Sequence, residues 1–152
     1  MAYTTAEGRR QLLDDLARAI EALGVALAAL GAAYDVLDER SADRLEEQLF
    51  RPVQSASGRS RRIYTGFAVR YGLSAVDFPP ASAGPASLGA RGFVERAVDA
   101  VAEADEALAE LQDSMLPVEV GDPELRSGLA DVRGLVSDVQ SRARGFLRTL
   151  GR

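Results

Sequence analysis

The sequence predicts an all-α protein: an antiparallel four-helix bundle built from two helical hairpins, with a long Pro/Gly-rich connection between helices 2 and 3. Three observations predict it. Apolar residues recur in steps of three and four along four separate stretches, the spacing that gathers side chains on one face of a helix. One segment, about 73–87, breaks that period with Pro79, Pro80, Gly84 and Pro85. The chain has 152 residues, 47% hydrophobic and 27% charged, which suits one globular domain spanning 1–152.

Each helix follows from its own residues. Thr4 with Glu7 three positions on is a capping-box signature. From there Leu12, Leu16, Ala19, Leu23, Ala26, Leu30, Tyr34 and Leu37 form one stripe of a helix over about 5–39. At 1.5 Å per residue such a helix is roughly 50 Å long. Ser41 is a good N-cap for a second helix over about 42–72, with Leu45, Leu49, Val53, Ala56, Ser60, Ile63, Phe67 and Tyr71 inward. The period survives Pro52, so a kink is expected there, with a loop over Ser55–Ser60 as the alternative. The third helix, about 88–116, stacks Val94, Ala97, Val101, Ala104, Leu108, Leu111 and Met115. A turn containing Gly121 leads to Asp122 as N-cap and Pro123 as first helical residue. The fourth helix, about 123–150, then carries Leu125, Leu129, Val132, Val136, Val139, Ala143, Phe146 and Leu150. Extended, the central connection reaches roughly 50 Å. It can cross the bundle from end to end or fold over one end, and its length admits both.

Composition excludes whole classes of chemistry. The chain has no cysteine, no histidine and no tryptophan. Thiol, imidazole and zinc-finger chemistry are therefore absent, as are the Glu-x-x-His motifs that hold metals inside helical bundles. Glu95, Asp99, Glu103, Glu106, Glu110 and Asp113 fall on the outer face of helix 3 as a solvated stripe. No metal, and no cofactor of any kind, is expected. The glycines between Gly84 and Gly92 follow no strand and precede no lysine, so they make no phosphate-binding loop. Eighteen basic against 23 acidic residues give a net charge of −5, which disfavours nucleic acid as a partner. The N-terminus has no signal-like apolar region, and the longest uncharged stretch in helix-forming sequence, Ala22 to Tyr34, is shorter than a bilayer span. A cytoplasmic location and no membrane span are expected.

The charges sort by segment. Residues 1–47 carry a net −5, 48–76 a net +5 with no acid, 77–121 a net −7, and 122–152 a net +2. Each hairpin thus pairs an acidic helix with a more basic one, which favours the right partners. Every basic side chain is arginine, lysine being absent, and with asparagine also absent this reflects GC-rich coding as much as selection for phosphate. Even so, Arg51, Arg59, Arg62 and Arg70 fall within a sector roughly 100° wide at 100° per residue. Arg59 and Arg70 lie beside Tyr71 at the edge of the apolar stripe. Forked guanidinium contacts there suit a phosphate-bearing ligand or an acidic partner segment. The same residues suit a solvated surface, and Arg70 and Tyr71 are the candidates if the chain were an enzyme.

The first helix points to a partner. Opposite its core stripe stand Gly24, Val25, Ala28, Ala29, Gly31 and Ala32, a strip without charge. Two glycines inside a helix cost about 1 kcal/mol each relative to alanine, so a packing reason is expected. A second subunit across a two-fold axis, or the chain's own Ala75–Pro85 connection, fits the strip. The expected function is a non-enzymatic helical protein acting through protein–protein interaction as a homodimer through helix 1. The alternative is a small-molecule or anionic-ligand binder using a cavity between the hairpins. Alanines at the stripe positions allow either close packing or such a cavity.

Overall fold

A computed structural model describes residues 4–150, most of which are helical, with no strand among them. In chain order the elements are α1 (Thr5–Val36), α2 (Glu39–Leu45), a π-helical turn (Glu46–Phe50), α3 (Arg51–Arg70), a 3-10 turn (Ala86–Leu88), α4 (Gly89–Asp113), α5 (Leu116–Glu119) and α6 (Pro123–Leu150). Four of these helices are long. The capping box opens α1 as expected: Glu7 N donates to Thr4 Oγ1 at 3.1 Å, and Thr4 N donates to Glu7 Oε2 at 3.2 Å. α1 stops at Val36 rather than near 39 because Asp38, not Ser41, caps the next helix. Its carboxylate accepts the Ser41 N–H at 3.0 Å.

Pro52 leaves a mark where a kink was expected, but α3 runs unbroken through Ser55–Ser60 to Arg70. A proline ring crowds the carbonyl four residues earlier and donates no hydrogen bond. The wide turn just before it absorbs that crowding, with Arg51 N donating to Glu46 O five residues back. The C-terminus of α3 closes on Gly72, at φ +64°, with Leu73 N donating to Ala68 O at 2.8 Å. Only a glycine takes that left-handed turn without strain. At the other hairpin, Met115 turns left-handed (φ 66°) and ends α4 before Met115 reaches the core, so its side chain is exposed. The short α5, which begins beside Pro117, occupies the turn. Asp122 and Pro123 then start α6 as the sequence predicted, Leu125 N donating to Asp122 Oδ1 at 2.8 Å.

Most residues of the expected stripes form the core; Tyr34, 40% exposed, and Met115 stand out of it, and Leu37, Ile63, Tyr71 and Leu150 are half-buried at its edge. α1 is buried over more than its stripe, adding Leu13, Ala17, Ile20, Ala22, Ala29 and Ala33. It packs most extensively on α4 and next on α3, while α6 packs on both α3 and α4. Alanines 22, 26 and 29 of α1 and 97, 100 and 104 of α4 are all buried, and such small side chains let two backbones approach. Around these alanines the described residues pack closely. The interior void beside Leu30, Leu49, Ala97 and Val139 is about 10 Å³, too small for more than one water.

The two ends of the molecule are set by contacts between elements distant in sequence. At one end Arg9 Nε donates to Val120 O at 3.1 Å, and Arg70 pairs with Asp122 at 2.8 Å. At the other, Arg44 Nη2 donates to Thr149 Oγ1 at 3.0 Å and Arg91 Nη1 to Leu147 O at 3.1 Å. The connection after Leu73 leaves the first end, where Arg10 Nη1 donates to Ser74 O at 2.8 Å. It is held on α3 by Val76 N donating to the Tyr64 hydroxyl (3.1 Å), with Phe78 edge-on to Tyr64 at 5.2 Å. It reaches α4 where Arg96 Nη2 donates to Ser82 O at 3.3 Å, and enters the 3-10 turn at the second end. The connection therefore travels the length of the helices.

Candidate functional site

α3 and α6 meet along a groove of about 470 Å³. One wall is Arg59, Arg62, Ile63 and Arg70 of α3, and the other is Glu124, Leu125, Ser127, Gly128 and Asp131 of α6. The floor is close because of Gly128. A Cβ there would stand 2.7 Å from the Ile63 Cδ1, so a larger residue would push the side chain or the helix away. Three of the four arginines predicted to share a sector thus share a groove. Arg51 does not: it sits at the start of α3 and pairs with Glu46 across the π-helical turn at 3.6 Å.

Two glycines inside α3 shape this wall. The Arg70 Nη1 lies 3.1 Å from where a Gly66 Cβ would stand, and the Arg62 Nη1 lies 3.6 Å from the equivalent point at Gly58. Each guanidinium is laid back along the helix over a glycine four residues earlier. The repeated Gly-x-x-x-Arg spacing, Gly58 with Arg62 and Gly66 with Arg70, is the signal of this in the sequence.

Arg70 is fully engaged. Its Nε and Nη2 donate to Asp122 Oδ2 and Oδ1 at 2.8 and 3.1 Å, and its Nη1 lies 3.0 Å from Glu124 Oε2. The Tyr71 hydroxyl also donates to Asp122 Oδ2, at 2.9 Å, while the Arg9 guanidinium stacks 3.8 Å from the Tyr71 ring centre. Burial works against the charge on Asp122, but the Leu125 N–H, Arg70 and Tyr71 outweigh it and hold the carboxyl below its usual range. The Asp122 hydrogen bond in turn raises Arg70 above its usual value, against the smaller effect of burial. Arg59 and Arg62 differ: among the described residues they make no ion pair and no side-chain hydrogen bond. Arg61, between them, faces Phe78 of the connection at 5.5 Å.

The α1 strip lies elsewhere. Gly24, Val25, Ala28, Gly31 and Ala32 are all half-buried, whereas Ala29, expected on the same strip, turns into the core and is buried; among the described residues nothing stands within 4 Å of a Cβ placed at Gly24 or Gly31. The connection, which is held on Tyr64, Arg61 and Arg96, does not come within that distance of either glycine. Val25 borders a shallow depression shared with Leu88, Gly92, Glu95, Arg96 and Asp99. There the Arg96 Nε is buried without a hydrogen-bond partner. An 18-residue window of α1 has a mean hydropathy of 1.6, long and apolar enough by composition to cross a bilayer, and 56% of it is buried inside the molecule.

On α4, Glu95, Asp99, Glu103, Glu106, Glu110 and Asp113 are exposed, and Asp105 pairs with Arg133 at 3.3 Å. Among the described residues no three His, Cys, Asp or Glu side chains gather as a metal site would need. Compared with known proteins, the chain matches no family model, no curated protein and no solved structure.

Proposed function

We propose that this chain is a non-enzymatic interaction protein that self-associates through the outer strip of α1. In this reading the four long helices form an antiparallel bundle whose neighbours all run in opposite directions, with the central connection as a crossover. The observation that carries the proposal is the open space over Gly24 and Gly31. Glycine in mid-helix costs about 1 kcal/mol against alanine, and among the described residues no side chain lies within 4 Å of a Cβ at either one. Across a two-fold axis, the same glycines let two α1 backbones approach and bury the apolar remainder of the helix. Val36, 58% exposed at the end of α1 on the side of Val25 and Ala32, would extend that contact. A bilayer is the competing cover for so apolar a helix, and the cytoplasm is the compartment the proposal assumes.

Size-exclusion chromatography with light scattering tests it. The wild-type chain is expected at twice 16.2 kDa. The Gly24→Glu/Gly31→Glu variant, whose new side chains enter open space in the single subunit, is expected at 16.2 kDa with unchanged helicity. A monomeric wild type, or a variant that stays dimeric, overturns the proposal. Wild type that floats with lipid vesicles but remains monomeric without them assigns the strip to a membrane instead.

A further inference from the structure

We propose that the α3–α6 groove binds a small phosphate ester, with Arg62 and Arg59 holding the phosphate. The inference is independent of self-association through α1. Arg70 shows what a guanidinium on this wall does when an acid is in reach: it forks onto Asp122 at 2.8 and 3.1 Å. Arg62 lies over Gly58 much as Arg70 lies over Gly66, yet among the described residues it has no acid to hold. Arg59 stands three residues away on the same face of α3, where Cβ atoms are about 5–6 Å apart. Two like charges on one helix face repel each other, and a dianion held between them relieves the repulsion.

The rest of the groove says what the anion is attached to. Ile63 and the buried Leu125 give the groove an apolar floor, and Ser127 adds a hydroxyl at the lining. The groove, open along one side, has more room than a bare ion needs. Glu124 and Asp131 occupy the α6 wall. They repel a long polyanion such as a nucleic-acid backbone, but leave room for one phosphate kept on the α3 side. The ligand is therefore a single phosphate carrying an apolar body, phosphate toward Arg59 and Arg62, body against Ile63 and Leu125.

Titration of the wild-type chain with phenyl phosphate and with inorganic phosphate, followed by backbone NMR shifts, tests this. Saturable shifts centred on Arg59–Ile63 and Leu125–Asp131 are expected, with phenyl phosphate the tighter ligand. Arg59→Gln/Arg62→Gln should weaken phenyl phosphate by about tenfold or more, the scale of charge-assisted hydrogen bonds. Both side chains are exposed, so the variant keeps its fold, and circular dichroism checks that it does. Asp131→Asn should tighten binding by roughly threefold, the scale of one exposed charge. No saturable binding of phenyl phosphate, or undiminished binding by the double variant, overturns the proposal. Inorganic phosphate bound as tightly as phenyl phosphate overturns the role given to Ile63 and Leu125.

Discussion

Asp122 joins three features that the sequence presents separately. It was legible as an N-cap, while Arg70 and Tyr71 were legible only as groups in search of an anion. The structure supplies one from the same chain, 51 and 52 residues away. Nothing in residue spacing signals such a contact, because it depends on where the connection after α3 delivers α6. Asp122→Ala removes the cap, the fork from Arg70 and the tyrosine hydrogen bond together, and should cost about 2 kcal/mol or more in urea denaturation. The acid dependence follows from the lowered pKa of the carboxyl. Its stabilisation is fully present above the unfolded value, near pH 4, and is lost as pH falls through the folded value below it. The urea midpoint of the wild type should therefore fall more steeply below about pH 4 than that of Asp122→Asn. Gly24→Ala adds a methyl to open space and should stabilise the isolated subunit by roughly 1 kcal/mol, read as an increase in thermal midpoint at low concentration.

At the scale of the elements, caps and periodicity were the legible part. Thr4 with Glu7, and Asp122 with Pro123, start α1 and α6 where the pattern placed them. Boundaries failed where two residues competed for one role, as Asp38 and Ser41 did, or where a left-handed residue without glycine, Met115, ended a helix. Which helices would lie closest was not legible. The segment charges suggested pairing by sign, yet α1 packs most extensively on α4, and both come from acidic segments. Alanine decides that contact: the buried small residues bring the two backbones together while the acids of α4 face outward. Ala104 is fully buried in the α4 face that carries Ala97 and Ala100. Ala104→Leu should cost about 1–3 kcal/mol through overpacking, measured by urea denaturation.

The path of the chain through the whole molecule could not be read from length. A connection able to span roughly 50 Å fits a crossover and a fold-back equally well. Tertiary contacts decide it: Tyr64 and Arg10 hold its first part, and Arg96 its last. The same path brings α3 beside α6 and so creates the groove in which Arg59, Arg62 and Arg70 meet. The arginine sector was visible in the sequence, but the α6 wall that makes it a groove was not. The α1 strip was legible because uncharged small residues on the outside of a helix are conspicuous at any packing. Since the chain contains no cysteine, single introduced thiols report on that strip alone. A disulfide requires Cα atoms within about 7 Å, so it forms only where two subunits truly meet. Ala28→Cys, at the middle of the strip, and Ser137→Cys, exposed on α6, form the decisive pair under mild oxidation. Self-association through α1 predicts a cross-linked dimer from Ala28→Cys and none from Ser137→Cys; no cross-link at position 28, or equal cross-linking from both, would contradict it.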